Sequence, residues 1–158
     1  MIRCGIGYDA HRLAPRRKLI LGGVEIPHAR GLDGHSDADV LCHAIADALL
    51  GAIGESDIGH HFPNTDESMR GISSLEILQK VNSVLSRKSA RVVNVDATLI
   101  AEAPKIAPHI PAMREKIAAV LNLETSRVSI KATTNEGLGA VGRGEGMAAM
   151  AVATVEQN

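Results

Sequence analysis

One segment constrains the fold of this sequence more than any other, because it has the spacing of an amphipathic helix with two distinct faces. Residues 37–53 carry an apolar stripe that would meet a core, and Gly54 follows as a helix terminator. On another side of the same helix, Asp39, His43 and Asp47 follow one another at intervals of four residues. The apolar stripe consists of Leu41, Ala44, Ile45, Ala48, Leu49 and Ala52. We predict a helix that packs on a core with one face and carries chemistry on the other.

His43 has two alternative roles at the centre of the polar stripe. The carboxylates before and after it can hold the tautomer of a metal-bound imidazole, as partners behind metal ligands usually do. Alternatively, His43 is a hydrogen-bonded structural residue, and Asp39 and Asp47 are ordinary solvated charges. The helix sequence alone leaves both interpretations open.

The start of this helix is a candidate anion site. Ser36 and Asp37 are suitable N-cap residues. Free N–H groups and a partial positive charge at a helix N-terminus favour phosphate, so His35 and Ser36 are candidate ligands of such a group. A polar cap without any ligand is the alternative.

The composition excludes several functional classes. The 17 Lys and Arg against 18 Asp and Glu give a net charge of −1, so the chain lacks the basic field of proteins that bind nucleic acid or membrane surfaces. Only 1% of the residues are aromatic, which nearly excludes base stacking on aromatic platforms. The length of 158 residues suits one domain, which we expect to extend over residues 1–158.

Cysteine content and hydropathy indicate the compartment. Cys4 and Cys42 are too few for a disulfide framework and lack the paired spacing of zinc-binding cysteines. No apolar run reaches the length of a membrane span, and the first residues lack the pattern of a signal peptide. We therefore expect a soluble, cytoplasmic protein.

A second chemical feature lies near the N-terminus. Residues 2–8 alternate in the manner of a strand and lead directly into Asp9 and His11. Because side chains two residues apart on a strand point to the same face, this pair forms a candidate metal clip. Together with His43 it would supply one carboxylate and two imidazoles, a set suited to tetrahedral Zn²⁺ with one open position. An ordinary turn that happens to contain both residues is the alternative.

The remaining periodicity predicts a two-layer α+β domain. Helical spacing and β-type segments alternate along the rest of the chain, with a short hairpin at residues 19–26. The further helices are predicted at about 73–85 and 108–121, and the further strands at about 92–101, 128–134 and 147–155. We predict one mixed β-sheet with helices packed on one face. The other face of the sheet would stay uncovered in a single chain. Because an uncovered apolar face favours association, we expect a homo-oligomer.

A third feature suits a diphosphate group. Residues 131–136 end a predicted strand with two hydroxyls and the carboxylate of Glu136, and the glycine-rich residues 142–146 follow. Hydroxyls, backbone amides and an acid able to hold Mg²⁺ are what a diphosphate requires. Alternatively, the glycine-rich stretch is a tight turn with an Arg–Glu pair.

Taken together, these motifs resemble the family of 2-C-methyl-D-erythritol 2,4-cyclodiphosphate synthases across essentially the whole chain. Several coupled motifs in one order are far more specific than any single motif. The resemblance is carried by Gly7-Tyr8-Asp9-Ala10-His11, His35-Ser36-Asp37-Ala38-Asp39, Asp57-Ile58-Gly59, Ala103-Pro104-Lys105, Lys131-Ala132-Thr133-Thr134 and Gly142-Arg143-Gly144-Glu145-Gly146.

The resemblance implies an activity, cofactors and an assembly. The expected reaction is a lyase-type cyclisation of 4-diphosphocytidyl-2-C-methyl-D-erythritol 2-phosphate with release of CMP, in the non-mevalonate pathway of isoprene biosynthesis. The expected cofactors are Zn²⁺, or another divalent transition metal, and Mg²⁺ or Mn²⁺. The expected assembly is a ferredoxin-like, two-layer subunit in a homotrimer, with each site between adjacent subunits.

The resemblance also implies roles for individual residues. The metal ligands would be Asp9, His11 and His43 for zinc and Glu136 for the second ion, with His35 and Thr134 as catalytic residues that stabilise the transition state. The residues expected to contact substrate are Asp9, His11, His35, Ser36, Asp57, Ile58, Gly59, Phe62, Pro63, Asn64, Thr65, Asp66, Ala101, Glu102, Ala103, Pro104, Lys105, Ile106, Ala107, Thr133, Thr134, Asn135, Glu136, Ala140 and Arg143.

Two positions depart from the family pattern. Asn64 stands where many relatives have Asp, and Ala140 stands where relatives can carry Phe. The first puts a carboxylate contact in doubt, and the second would widen any hydrophobic cavity at that level. Two other functions compete with the synthase: a metal-dependent phosphohydrolase on the same ligands, and a non-catalytic oligomer that binds metal or nucleotide.

Overall fold

The chain forms seven strands and five helices, described by a computed structural model for residues 1–63 and 65–158. The strands are β1 (Ile2–Pro15), β2 (Leu19–Leu21), β3 (Val24–Ile26), β4 (Arg30–Leu32), β5 (Ala90–Ile100), β6 (Val128–Thr133) and β7 (Gly146–Gln157). The helices are α1 (Val40–Ile53), α2 (Ile58–His61), α3 (Ser74–Arg87), α4 (Ile110–Leu121) and α5 (Gly139–Gly142). Five strands form one sheet in the order β4-β1-β7-β5-β6, and β2 pairs with β3 in a separate hairpin.

The main sheet is mixed, and the long helices pack on one of its faces. Strands β5 and β6 run parallel, whereas β1 and β7, and β5 and β7, pair antiparallel. Helix α1 lies across β1, β7 and β5, and α3 and α4 extend this layer towards β6. The predicted α+β class with a mixed sheet and one helical layer is therefore confirmed.

The ferredoxin-like part of the prediction is wrong. A ferredoxin-like chain follows the order β-α-β-β-α-β, but the long elements here follow β1-α1-α3-β5-α4-β6-β7. Of these strands, the two with no long helix between them, β6 and β7, are therefore the last two in the chain rather than the middle two. Strand β7 returns to the centre of the sheet, between β1 and β5. The sequence pattern also missed three short elements, β4, α2 and α5, because each is too short to show a periodicity.

Helix α1 begins three residues later than predicted, because Asp39 is its N-cap rather than Ser36 or Asp37. The buried Asp39 carboxylate accepts the N–H of Cys42 at 3.1 Å and those of Gly22 and Gly23 at 3.0 and 2.7 Å. Burial raises the pKa of Asp39, while these backbone donors favour its charged form. One side chain thus caps the helix and anchors the β2–β3 hairpin against it.

Close contact between α1 and β1 depends on two glycines. A Cβ atom on Gly5 would lie 2.0 Å from the carbonyl oxygen of Ala48, and one on Gly7 would lie 1.9 Å from that of Ala44. Both distances are far inside van der Waals contact, so only glycine lets the helix backbone rest on the strand. The two residues that follow on the same face of β1, Asp9 and His11, are thereby brought to the side of the helix.

The opposite face of the sheet is apolar and exposed. Ile6 is 67% exposed and Tyr8 59% exposed. Their antiparallel partners on β7, Val152 and Met150, are exposed as well, and Ile2 lies further along the same face of β1.

Among the helices of the described chain, none has the length and apolar character that crossing a bilayer requires.

We expect Gly7→Ala to lower the free energy of unfolding by about 3 kcal/mol, because the added methyl must push α1 away from β1. Gly51→Ala is the matched control, since its Cβ would meet its nearest atom, the carbonyl oxygen of Ile6, at an ordinary 3.8 Å. Alanine is a better helix former than glycine, so this control should stabilise by about 0.5–1 kcal/mol. Urea unfolding followed by circular dichroism measures both effects. Equal stability of Gly7→Ala and the parent would contradict the close-packing argument.

Candidate functional site

Three predicted metal ligands converge on the face of the sheet that α1 covers. His11 Nε2 lies 2.9 Å from Asp9 Oδ2, and His43 Nδ1 lies 3.0 Å from the same oxygen. The two imidazole nitrogens are 3.3 Å apart. One donor atom from each of the three side chains falls within 4.8 Å of the others. The structure thus joins Asp9 and His11 of β1 and His43 of α1 into one cluster.

The secondary structure explains how these side chains meet. Asp9 and His11 occupy alternate positions of β1 and therefore share the face that carries Gly5 and Gly7. His43 lies in the first turn of α1, and its backbone N–H bonds to the carbonyl of Asp39. Because the glycines set the distance between strand and helix, they also set the separation of the three ligands.

Electrostatics favours a charged Asp9. Partial burial acts to raise the pKa of Asp9, but the neighbouring imidazoles of His11 and His43 outweigh burial and lower this pKa. For His11, burial acts to lower the pKa, but the hydrogen bond and charge of Asp9 outweigh it and raise the value. The cluster therefore holds a carboxylate at neutral pH.

Each histidine has its second nitrogen engaged outside the cluster. His11 Nδ1 lies 2.7 Å from the carbonyl oxygen of Asp33, so this nitrogen carries a proton and the neutral ring has its lone pair on Nε2. His43 Nε2 lies 2.9 Å from Ser74 Oγ and 3.2 Å from Ser36 Oγ. Imidazoles held in this way present their free nitrogens towards a cation.

Neither interpretation of Asp39 and Asp47 describes the structure, because these carboxylates do not hold the His43 ring and Asp39 is buried rather than solvated. Asp39 caps α1 and binds the hairpin, and Asp47 Oδ1 accepts the N–H of Ile58 at 2.8 Å. Spacing along a helix shows which residues share a side, but long-range partners decide where their carboxylates point. Ser74 takes the expected role, and the sequence pattern missed it because Ser74 is 31 residues away in the chain.

The donor set fits a divalent metal ion. A carboxylate oxygen and two imidazole nitrogens are the donors that Zn²⁺ and its neighbours in the transition series accept, and three protein ligands leave a position open. This fit rests on the convergence of three donor atoms, one from each side chain. The two imidazole rings are also oriented by hydrogen-bond partners on their other nitrogens.

A cavity of about 240 Å³ adjoins the cluster. It brings together the predicted metal ligands, both residues of the predicted anion site and part of the loop at residues 57–66, which is expected to contact substrate. Its lining residues are Asp9, His11, Gly34, His35, Ser36, His43, Ile58, Gly59, Phe62, Met69, Ile72 and Ile77. Gly34, Met69, Ile72 and Ile77 were not predicted to line a site, because these residue types carry no chemical signal of their own.

Two acidic residues of the predicted substrate loop act as local caps. Asp57 Oδ1 accepts the N–H of His60 at 2.9 Å, and Asp66 Oδ1 accepts the N–H of Ser68 at the same distance. His35 Nε2 lies 3.3 Å from the carbonyl oxygen of Asp66. Pro63, Thr65 and Asp66 belong to this exposed loop, and the prediction for Asn64 lies outside the described residues.

A second cavity, of about 220 Å³, is lined by most of the residues within 101–107 and 133–136 that are expected to contact substrate. Its lining residues are Ala101, Glu102, Pro104, Lys105, Ile106, Ala107, Ala132, Thr133 and Thr134. Glu102 Oε1 accepts the N–H of Asn135 at 2.7 Å and ties the two chain segments together. Ala103 lies within the first segment, in a cis peptide bond with Pro104.

Glu136 and Thr134 stand apart from the Asp9 cluster. Thr134 Oγ1 accepts the N–H of Glu136 at 3.2 Å, and both residues are exposed at the end of β6. Glu136 belongs to no cluster of three metal-binding side chains in the described parts of the chain. Within one subunit, therefore, the predicted ligands of the two metal ions are not brought together.

The glycine-rich stretch contains an ion pair. Arg143 Nε donates to Glu145 Oε1 at 2.6 Å, and both side chains are exposed. This pair raises the pKa of Arg143 and lowers that of Glu145. The alternative of a turn with an Arg–Glu pair describes this local geometry, and the predicted substrate contact of Arg143 stays a prediction. Ala140 lines a separate cavity with His11.

Comparison with known proteins identifies relatives over the whole length. The YgbB family model matches residues 2–156. A 2-C-methyl-D-erythritol 2,4-cyclodiphosphate synthase of Alkaliphilus metalliredigens is 59% identical over 157 residues, which are 99% of each chain. The synthase of Symbiobacterium thermophilum is 61% identical over 151 residues, 96% of each chain. A solved synthase structure with CDP bound has a TM-score of 0.90 and 35% identity, and the match covers 98% of this chain and 100% of that one.

We expect His43→Ala to abolish tight binding of a divalent metal while the fold is retained. Loss of a direct ligand should weaken binding by more than the about 10–100-fold that loss of an outer partner costs. Metal content after dialysis, measured beside circular dichroism, tests this. His28→Ala is the control, because His28 follows β3 and lies outside the cluster. Stoichiometric metal in His43→Ala would exclude His43 as a ligand.

Proposed function

Because the chain belongs to the YgbB family, we infer that it is an enzyme with the activity of its synthase relatives. It cyclises 4-diphosphocytidyl-2-C-methyl-D-erythritol 2-phosphate to 2-C-methyl-D-erythritol 2,4-cyclodiphosphate and releases CMP, a step in isoprenoid biosynthesis. The observation that carries this conclusion is the near-complete match to these relatives, with Asp9, His11 and His43 joined in one cluster at the mouth of a cavity.

The reaction joins two groups of the same molecule. An oxygen of the 2-phosphate attacks the β-phosphorus, and the bond from this phosphorus to CMP breaks, so CMP leaves with the electron pair of that bond. The substrate thus supplies its own nucleophile, and the protein needs no activated serine or cysteine. The chain must instead fold the substrate so that the attacking and leaving oxygens are in line.

The two cavities suit the two ends of the substrate. In our proposal, the first cavity holds the methylerythritol part, where Ile58, Gly59 and Phe62 offer an apolar surface beside the polar His35 and Ser36. The second holds the cytidine and its phosphates, where Lys105 and residues 132–134 line the wall. His35 and Thr134 would donate hydrogen bonds to phosphoryl oxygens as their charge grows.

We assign Zn²⁺ to Asp9, His11 and His43, and Mg²⁺ or Mn²⁺ to Glu136 with the substrate phosphates. When bound, these ions would supply positive charge to the diphosphate oxygens. The chain itself orients the ligands through Asp33 and Ser74 and keeps Asp9 ionised through the two histidines. The carboxylate of Glu136 is exposed and has no charged partner among the described salt bridges, which leaves it available to a cation.

We further propose a cyclic homotrimer with sites between adjacent subunits. In the described part of the chain, the lining residues of the two cavities do not overlap. In this proposal, one substrate lies between the first cavity of one subunit and the second cavity of its neighbour. The exposed apolar face of β1 and β7 would be buried around the threefold axis.

Incubation of the metal-loaded protein with the cytidylyl substrate tests the activity. CMP and the cyclic diphosphate in equal amounts are the expected products, identified by phosphorus NMR. An uncyclised phosphate product would instead identify the protein as a metal-dependent phosphohydrolase. If there is no turnover, the alternative of a non-catalytic binding protein stands. His43→Ala serves as the inactive control, because loss of metal alone should stop the reaction.

Mixed oligomers test the shared site. His43→Ala and Thr134→Ala chains are each expected to be inactive, but a trimer that contains both can hold an intact site between unlike neighbours. After equal mixing and co-refolding, about a quarter of sites should be intact, because each site draws two independent half-chances from random assembly. CMP release is measured against each variant refolded alone. Mixed trimers, verified by native mass spectrometry, that are no more active than these controls would contradict the shared site.

A further inference from the structure

His43 is held from behind by a hydroxyl that the reaction chemistry does not use. Its Nδ1 faces Asp9 and His11, and its Nε2 lies 2.9 Å from the hydroxyl of Ser74. Ser74 is fully buried at the first position of α3, and its side chain points at the ring rather than into solvent. For Nδ1 to offer a lone pair, the ring proton must reside on Nε2.

Asp37 determines which way the Ser74 hydroxyl points. Asp37 Oδ1 accepts the Ser74 hydroxyl proton in a short hydrogen bond. The same carboxylate receives the backbone N–H of Ser74 at 2.9 Å and that of Asp39 at 3.1 Å. An ionised carboxylate only accepts hydrogen bonds, so the Ser74 proton is committed to Asp37. The Ser74 oxygen then has only lone pairs to present to His43 Nε2.

We propose that Asp37 and Ser74 are positioning residues that select the Nε2–H tautomer of His43 and so prepare Nδ1 for the metal ion. The order of donation is His43 Nε2–H to Ser74 Oγ, and Ser74 Oγ–H to the Asp37 carboxylate. Without this chain, the competing tautomer would place the proton on Nδ1, where Asp9 Oδ2 lies 3.0 Å away and would accept it. In that tautomer the lone pair is on Nε2, which faces Ser74, so Nδ1 has none to offer a cation.

Ser36 is a weaker partner of the same nitrogen. Its oxygen lies 3.2 Å from His43 Nε2 and already accepts the N–H of Ala38 at 3.1 Å. Its hydroxyl proton is free to rotate towards Nε2, so Ser36 accommodates either tautomer. The selectivity therefore comes from the Ser74–Asp37 pair, which ties the start of α3 to the loop before α1.

The test measures tautomer and metal affinity separately. Long-range proton–nitrogen NMR of the metal-free protein, at a pH where His43 is neutral, reports which ring nitrogen carries the proton. Competition with a chelator gives the dissociation constant of Zn²⁺. In Ser74→Ala we expect His43 to shift towards the Nδ1–H form and Zn²⁺ binding to weaken about 10–100-fold. Ser74→Thr, which keeps the hydroxyl, should restore both.

The matched control is Ser73→Ala. Ser73 is the adjacent N-cap of α3, and its hydroxyl accepts the N–H of Leu75 at 3.3 Å without contact to His43. This variant should keep the parent's tautomer and affinity. Asp37→Asn is the second test variant and applies even where Ser74→Ala fails to fold, because it leaves the serine in place. It should also shift the tautomer.

The outcomes separate this proposal from the proposed function on which it rests. A parent protein that binds no Zn²⁺ would overturn the metal assignment, whereas an unchanged tautomer in Ser74→Ala and Asp37→Asn would overturn the positioning chain alone. Weaker binding with an unchanged tautomer would also overturn it, because Ser74 would then act only through the packing of α3. We expect the tautomer shift and the weaker Zn²⁺ binding to occur together in Ser74→Ala, and neither change to occur in Ser73→Ala.

Discussion

The contact between the backbone of α1 and strand β1 is the constraint on which the rest of this structure depends. Gly5 and Gly7 leave no side chain between the two elements, so the carbonyl oxygens of Ala44 and Ala48 occupy the space a Cβ would need. The same strand face continues with Asp9 and His11, and the same helix carries His43. The distance that packs the core is thus also the distance that assembles the ligand cluster.

Rigidity of the cluster comes from hydrogen bonds made outside it. The carbonyl of Asp33 holds one imidazole, and Ser74, backed by Asp37, holds the other. These partners come from the loop before α1 and from the first turn of α3, so both segments must be in place, besides β1 and α1, for the donor atoms to be held. Partners of this kind reduce the reorganisation needed when a cation binds, which is why they contribute to affinity without touching it.

Division of the predicted substrate contacts between two cavities gives the proposed assembly a functional meaning. The first cavity adjoins the cluster, and the second lies at the end of β6 near Thr134 and Glu136. The apolar face of β1 and β7 is uncovered in the single chain. A ring of subunits would bury this face and join unlike cavities at once, so the proposed oligomer would complete both the core and the site.

Local pattern predicted the long elements and the candidate metal ligands of this protein, and tertiary structure decided the connections between them. The amphipathic stripe of α1, the alternation of β1 and the Asp9, His11 and His43 set were predictable because periodicity and side-chain chemistry are properties of neighbouring residues. The resemblance to a family supplied the reaction, which no single motif specifies. The return of β7 to the centre of the sheet, the diversion of Asp39 to the hairpin and of Asp47 to Ile58, and the role of Ser74 were not predictable. Each depends on a contact between residues far apart in sequence, and local spacing carries no information about such contacts until the chain has folded.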